Sequence, residues 1–344
     1  MKVIFAPYSD GNPYQKELIK ELELKGVSVG NAGLGFKDFF KTIDLNKADV
    51  IHFHWLDTYI LGNNSIITFI KIIVFLLRLK LFKKSKKYIW TAHNLKSHES
   101  SHPLLEKFFL KNFVKILDRI SVHSLFAKDK LMKEYGANSD KIQIIPHANY
   151  INAYPVRDDE RKLLLKNKLE IDNGKFTFMF LGNIRPYKGV LEVISAFKEL
   201  NFNDAQLVIC GSVKAKDEQK LIEKKIDKFS NIKLIAEYIN DEDISSYLDL
   251  ADAMLYPYKD ILTSGGLLLG MSYKKVCIAS NVGSMSEFLD SKFLFNTYLD
   301  LKETMKEIRG FSEEELKLAG ELNYSRIKDD TWKKMADLTL NLYS

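Results

Sequence analysis

The sequence predicts an α/β protein made of two doubly wound parallel sheets. Short apolar runs rich in β-branched and aromatic residues alternate with longer helical patterns along the chain, as strand–helix–strand crossovers require. The alternation restarts after a polar joint near residues 152–174, where RDDERKLLLKNKLEIDNG intervenes. Polar residues and glycines gather just after the apolar runs, where open parallel sheets bind ligands. A length of 344 residues suits two domains, and 46% hydrophobic with 28% charged residues is ordinary globular composition.

Val3–Ala6 reads as a buried first strand, followed by the polar loop Tyr8–Pro13 and a helix from about Tyr14 to Lys25. Val50–Trp55, Tyr88–Ala92, Arg119–His123 and Lys141–Pro146 repeat the strand signal. The second series is Phe176–Leu181, Ala205–Cys210, Ile232–Ala236, Ala253–Tyr256 and Val276–Ala279. Residues 1–155 are expected to form one domain and residues 173–324 another. The closing segment 325–344 reads as one helix, anchored by Trp332, that crosses back onto the first domain.

Composition narrows the function classes. Cys210 and Cys277 are the two cysteines, both in apolar runs, which excludes a disulfide framework and a Cys-rich zinc site. MKVIFAPYSDGNPYQ lacks the apolar core of a signal peptide, so a cytoplasmic location is expected. The net charge of +6 is uneven: residues 1–150 carry 23 Lys/Arg against 14 Asp/Glu, while the remainder nets −3. Two domains with different partners are expected. The basic residues of the first are interleaved with aliphatics and not with stacking aromatics, which argues against nucleic acid as the partner.

Two constellations point to a nucleotide. In FLGNIRPYKGVLEVISAF, Gly182 permits a tight strand exit, Arg185 and Lys188 place two cations at the turn, and Gly189 opens an amphipathic helix. Free N–H groups at a helix start beside a guanidinium and an ammonium suit a diphosphate; the alternative is a solvated loop with incidental charges. In YPYKDILTSGGLLLGMSYKKVCIASNVGSMSEFL, Thr263, Ser264, Gly265 and Gly266 open an apolar helix, and Gly283 and Glu287 follow the next strand. A carboxylate at Glu287 can accept the hydroxyls of a ribose. The plain alternatives are helix capping by Thr263 or Ser264 and a first-turn position for Glu287.

Together these residues carry a resemblance. GNIRPYKG, VICGS, INDEDISSYLDLADAMLYPY and the Ser-Gly-Gly segment resemble the donor domain of GT-B glycosyltransferases, and SDGNPYQ, HFHW, TAHN and IIPHANY resemble the first domain of such enzymes. The resemblance implies two Rossmann-like domains facing a cleft, and transfer of a sugar from a UDP- or GDP-linked donor with no obligatory metal or other cofactor. It implies donor contacts at Gly182, Arg185, Lys188, Gly211, Tyr256, Thr263, Ser264, Gly265 and Glu287. Many retaining relatives carry two Glu residues eight positions apart where this sequence has Ile261 to Leu269, with no Glu. An inverting transfer is therefore expected, with a general base from the first domain's strand exits. Asp10 and Glu99 are the candidate bases, and His93 is placed at the sugar. Asp10 as a helix cap and Glu99 as a solvated carboxylate are the alternatives.

Asn12, His54 and His147 are expected on the acceptor side. His52 and His54 share a strand face but lack a carboxylate–His partner set, so no metal site is expected. Residues 65–87, SIITFIKIIVFLLRLKLFKKSKK, hold seven basic residues among aliphatics, with Ile72–Leu77 the longest apolar run. That run is far short of the roughly 20 residues a membrane span needs. An interfacial helix on an anionic membrane is expected, against the alternative of an internal crossover helix. The expected function is transfer to a lipid-linked or glycan acceptor in bacterial surface-polysaccharide synthesis, at the inner face of the cell membrane. A retaining transferase, a nucleic-acid-binding protein and a non-catalytic partner subunit are the rivals.

Overall fold

Strands buried on both faces read as continuous apolar runs, and the sheets of this protein form from such runs. The computed structural model describes the chain apart from Asp10, Asn46, Lys84, Ser85, 98–100, Val156, Arg157, Asn173 and the side chains of 43–45. Two compact units result, Met1–Ala148 with Asp330–Ser344, and Asn149–Asp329.

The first unit runs β1 (Lys2–Ala6), α1 (Pro13–Leu24), β2 (Ser28–Asn31), α2 (Phe36–Leu45), β3 (Val50–Phe53), α3 (Asp57–Ile60), α4 (Ser65–Phe82), β4 (Lys87–Thr91), α5 (Pro103–Ile116), β5 (Arg119–Val122), α6 (Leu125–Tyr135) and β6 (Ile142–Ile144). Its sheet has the order β2-β1-β3-β4-β5-β6, all parallel. The second unit runs α7 (Asp159–Lys168), β7 (Phe176–Leu181), α8 (Val190–Leu200), β8 (Ala205–Cys210), α9 (Lys216–Ile226), β9 (Ile232–Ile235), α10 (Ile244–Leu250), β10 (Ala253–Tyr256), α11 (Gly265–Ser272), β11 (Val276–Ser280), α12 (Met285–Phe288), β12 (Leu294–Phe295), α13 (Tyr298–Arg309) and α14 (Glu313–Ile327). Its order is β12-β11-β10-β7-β8-β9, again all parallel. The doubly wound class expected from the strand–helix alternation is the class observed.

Three elements differ from expectation. β2 and β12 lie at sheet edges; β2 is the polar, half-exposed SVGN and β12 has two residues, so neither produces an apolar run. The closing segment is two helices, α14 ending at Ile327 and α15 (Trp332–Tyr343) starting after a break. The Asn149 amide donates to the carbonyls of Ile327 and Lys328 at 2.9 and 3.1 Å, satisfying the end of α14. Thr331 caps α15 by accepting from the Lys334 N–H. α15 packs on α1 in the first unit, where Lys25 pairs with Asp337 and the Tyr343 hydroxyl bonds His52.

In each sheet the strand order reverses once. After β2 the chain returns to place β3 on the other side of β1, and after β9 it returns to place β10 on the other side of β7. Loops leaving the carboxyl ends at such reversals flank a crevice, the place where open α/β sheets hold ligands.

Candidate functional site

In the second unit the crevice lies between the loops after β7 and β10, and backbone contacts lace these loops together. The Lys259 N–H donates to the Tyr187 carbonyl at 2.7 Å, and its ammonium pairs with Glu192 at 2.6 Å. Gly189 has φ +69°, and a Cβ there would lie 2.0 Å from the Pro257 carbonyl oxygen. Only glycine lets the β7 turn press against the β10 loop this closely. The β11 exit joins them through the Ser284 N–H, which donates to the Leu262 carbonyl at 3.2 Å. At the β8 exit, a Cβ on Gly211 would lie 2.0 Å from the Gly182 carbonyl.

This packing concentrates positive charge. The Lys188 ammonium lies over the rings of Tyr258 and Phe180, 5.5 and 5.9 Å from their centroids, and 3.5 Å from where a Cβ on Gly182 would begin. Among the described residues it has no carboxylate or carbonyl partner. Burial, reinforced by the nearby Arg185 guanidinium, pushes its pKa down to about 8. Arg185 is half-buried and donates to its neighbour's carbonyl, that of Ile184, at 3.0 Å. A half-buried cation with no anionic partner among the described residues, beside a second cation, favours any anion that enters.

The β10 loop adds donors. Ser264 caps α11, accepting from the Leu267 N–H at 3.0 Å, and Gly265 is the first residue of that helix. Thr263 Oγ1 is buried without a hydrogen-bond partner among the described residues. Glu287 sits in the first turn of α12 with its side chain exposed. Tyr256 lies differently from the sequence expectation: it is 1% exposed, its hydroxyl against Gly270 beneath α11. It supports the helix from the core and does not face the crevice surface. A β10 residue in a strand buried along its whole length follows the apolar pattern, which outweighs its position near the strand end.

In the first unit the strand exits hold a cluster of imidazoles around Tyr14 of α1. The Tyr14 ring meets His93, His147, His123 and Trp332 edge-on, at centroid distances of 4.6, 5.1, 5.5 and 5.8 Å. Trp55 stacks on His93 at 4.1 Å, and His54 Nδ1 lies 3.0 Å from His93 Nε2. His52 is structural: Nδ1 bonds the Tyr343 hydroxyl at 2.6 Å and Nε2 the Thr91 hydroxyl at 2.8 Å. His123 donates from Nδ1 to the Ile145 carbonyl, and His147 from Nδ1 to the Ala148 carbonyl. Burial lowers all five pKa values, to about 3 for His52 and His123 and about 4 for His147; neighbouring imidazoles add to the effect at His54, His93 and His123. The cluster is neutral at physiological pH. Among the described residues no group of three or more His, Cys, Asp or Glu is arranged to hold a metal ion.

Asn12 caps α1, accepting from the Tyr14 N–H at 3.0 Å. The two candidate bases, Asp10 and Glu99, lie outside the described residues. Sequence reasoning passed over Glu106, in the first turn of α5. It is 5% exposed and accepts from the Ser97 N–H at 2.7 Å through Oε2, while Oε1 is buried without a partner among the described residues. Glu106 lines a cavity of about 30 Å³ with His54, Asp57, Asn94, Lys96 and Trp90, large enough for a water. Burial raises its pKa. Its helical spacing among Phe109, Leu110 and Phe113 was the available signal, since it puts Glu106 on the buried face of α5.

Residues 162–326, all within the second unit, match the family described as glycosyl transferases group 1. Over 236 residues, 68% of this chain, the protein is 21% identical to a GDP-mannose:glycolipid 4-beta-D-mannosyltransferase of Xanthomonas campestris pv. campestris, and it spans 62% of that relative's length. It is 23% identical over 269 residues to an uncharacterized 41.2 kDa protein in the cps region of Klebsiella pneumoniae, covering 77% of this chain and 69% of that one. Among solved structures, Anabaena HepE in complex with UDP and glucose aligns with a TM-score of 0.76 at 13% identity, over 99% of this chain and 98% of the other. Sucrose-phosphate synthase from Thermosynechococcus elongatus aligns with a TM-score of 0.75 at 14% identity, over 99% and 98%. The chain has the GT-B fold, and residues 162–326 of its second unit are similar to the glycosyl transferases group 1 family.

Proposed function

We propose that this protein is a glycosyltransferase that moves a sugar from a UDP- or GDP-linked donor to a lipid-linked or glycan acceptor in bacterial surface-polysaccharide synthesis, with inversion at the anomeric carbon. The observation that carries the reading is the Lys188 ammonium, half-buried over the Tyr258 and Phe180 rings beside Arg185 with no anionic partner among the described residues, at the strand-order reversal of the second sheet. A nucleoside diphosphate supplies the missing anion. In this reading Arg185 and Lys188 bind the diphosphate, the start of α11 with Thr263, Ser264 and Gly265 adds donors, and Glu287 takes the ribose. The named relatives support the substrate classes: HepE was captured with UDP and glucose, and the Xanthomonas enzyme's name specifies GDP-mannose, a glycolipid and a β linkage.

An acceptor oxygen attacks the anomeric carbon as the bond to the diphosphate oxygen breaks. The acceptor proton passes to a carboxylate of the first unit, and the two cations stabilise the charge growing on the leaving diphosphate. Asp10 and Glu99 are the proposed bases, and Glu106 joins them because burial raises its proton affinity. His54, His93 and His147 line the acceptor side as neutral hydrogen-bonding groups, and the reaction runs at the cytoplasmic face of the membrane without a metal.

The test is incubation of the protein with UDP-glucose or GDP-mannose and a polyprenyl-diphosphate-linked sugar, with the product anomer read by NMR. A new linkage of inverted configuration is expected. A retained configuration selects the retaining alternative, and no transfer with any nucleotide-sugar overturns the reading.

A further inference from the structure

The helix at residues 65–82 has two apolar faces. Thr68, Ile72, Phe75, Leu76 and Leu79 of α4 are buried against the first unit. Ile66, Ile70, Val74, Leu77 and Leu81 recur at steps of four, four, three and four, which makes one stripe of a helix. All five are exposed, Ile66 at 70%, Leu77 at 55% and Leu81 at 77%. α5 packs beside α4 and extends the patch: Phe69 and Phe108, both more than two-fifths exposed, lie 6.3 Å apart, and Leu104 is 81% exposed. A contiguous apolar face of this kind on a water-soluble surface marks an interaction site.

Charge identifies the occupant. Lys80, Lys107, Lys111 and Lys115 are exposed on the two helices. α4 contains no carboxylate, and that of α5 belongs to the buried Glu106. A second copy of the chain meeting this face across a two-fold axis would set lysines against lysines. An anionic bilayer matches both components, lipid tails for the aliphatic stripe and headgroups for the lysines.

The cations that do this work differ from those the composition of residues 65–87 suggests. Lys71 donates to the Leu61 carbonyl, Arg78 lies over the Phe40 ring at 4.7 Å, and Lys83 pairs with Asp118. Lys86 and Lys87 bond the carbonyls of Ala48 and Tyr343. These five are turned to protein partners, and Lys84 lies outside the described residues. No helix among the described residues is long and apolar enough to cross a membrane.

We propose that the outer faces of α4 and α5 form a docking surface for anionic lipid bilayers, with the aliphatic stripe entering the interface and Lys107, Lys111 and Lys115 contacting headgroups. The surface is independent of the donor site and of the transfer reaction.

Flotation of the full chain with vesicles tests it, using phosphatidylcholine alone and phosphatidylcholine with phosphatidylglycerol, without acceptor or nucleotide-sugar. Binding to the anionic vesicles is expected, with each of Ile70→Ser and Leu77→Ser lowering the partition coefficient about tenfold. Both positions are more than half exposed, so unchanged melting temperatures confirm that the variants fold. The triple replacement of Lys107, Lys111 and Lys115 by Gln should remove the preference for anionic vesicles. No flotation of the wild-type chain, or flotation unaffected by both serine variants, overturns the proposal. So does a dimer in light scattering that these variants dissociate while lipid binding is absent.

Discussion

Four buried imidazoles and a half-buried fifth, His93, make the first unit acid-sensitive in a pH range where carboxylates contribute little. An imidazole held neutral in the fold and free to protonate in the unfolded chain contributes full stability above its unfolded pKa of 6.5. That contribution falls as pH drops toward the folded value. The folded values are about 3 for His52 and His123 and about 4 for His147, lowered by burial in each case. Each therefore loses about 1.4 kcal/mol per pH unit below 6.5, and the three together lose on the order of 4 kcal/mol per unit. His54 and His93 act in the same direction. By pH 5 the loss from the first three is on the order of 6 kcal/mol, comparable with the whole stability of a typical domain. Trp55, Trp90 and Trp332 are the three tryptophans, and all lie in the first unit, so their fluorescence reports that unit alone. Urea unfolding followed by tryptophan emission should show a midpoint falling steeply from pH 7 to pH 5. A midpoint flat across that range would refute the reasoning, because it would mean that unfolding takes up no protons there.

Other predictions rest on the second unit and on the bases. Nucleotide affinity should be constant below about pH 8, the value of the free Lys188 ammonium, and fall up to tenfold per unit above it, because binding requires the charged form; calorimetry from pH 7 to 9.5 measures this. Gly189→Ala places a Cβ 2.0 Å from the Pro257 oxygen at φ +69° and should cost about 2 kcal/mol or more by combining backbone strain with a clash. Its signature is a lower melting temperature together with loss of nucleotide stabilisation. Of Asp10→Asn, Glu99→Gln and Glu106→Gln, the variant that removes the base should lower kcat by roughly 10²–10⁴-fold while leaving donor affinity intact. If none of the three lowers kcat by this much, the base lies elsewhere.

The sheets were legible because buried parallel strands advertise themselves as apolar runs, and Phe176–Leu181 and Ala205–Cys210 were read to the residue. β2 and β12 escaped because edge strands need no such run. The break between α14 and α15 depends on Asn149, a residue distant in sequence that satisfies the helix end. The cluster around Tyr14 is equally non-local, since its imidazoles come from the ends of successive strands and their burial follows from packing. In α4 the density of positive charge was visible, but the destination of each cation was not. Arg78 reaches Phe40 on α2, and Lys83 reaches Asp118 beside β5. Tyr256 shows the converse limit, because a position near a strand end does not distinguish a ligand contact from a core prop.

The most direct test of the donor site is calorimetric titration of UDP and GDP into the wild-type chain and into Lys188→Met. Methionine fills the space over Phe180 and Tyr258 without a charge, so the apo variant should keep or raise its melting temperature. One of the two nucleotides should bind the wild type, and the variant should bind it at least tenfold more weakly. Equal affinity in the two proteins would contradict the placement of the diphosphate at Lys188, and no binding to either would remove the nucleotide from the account.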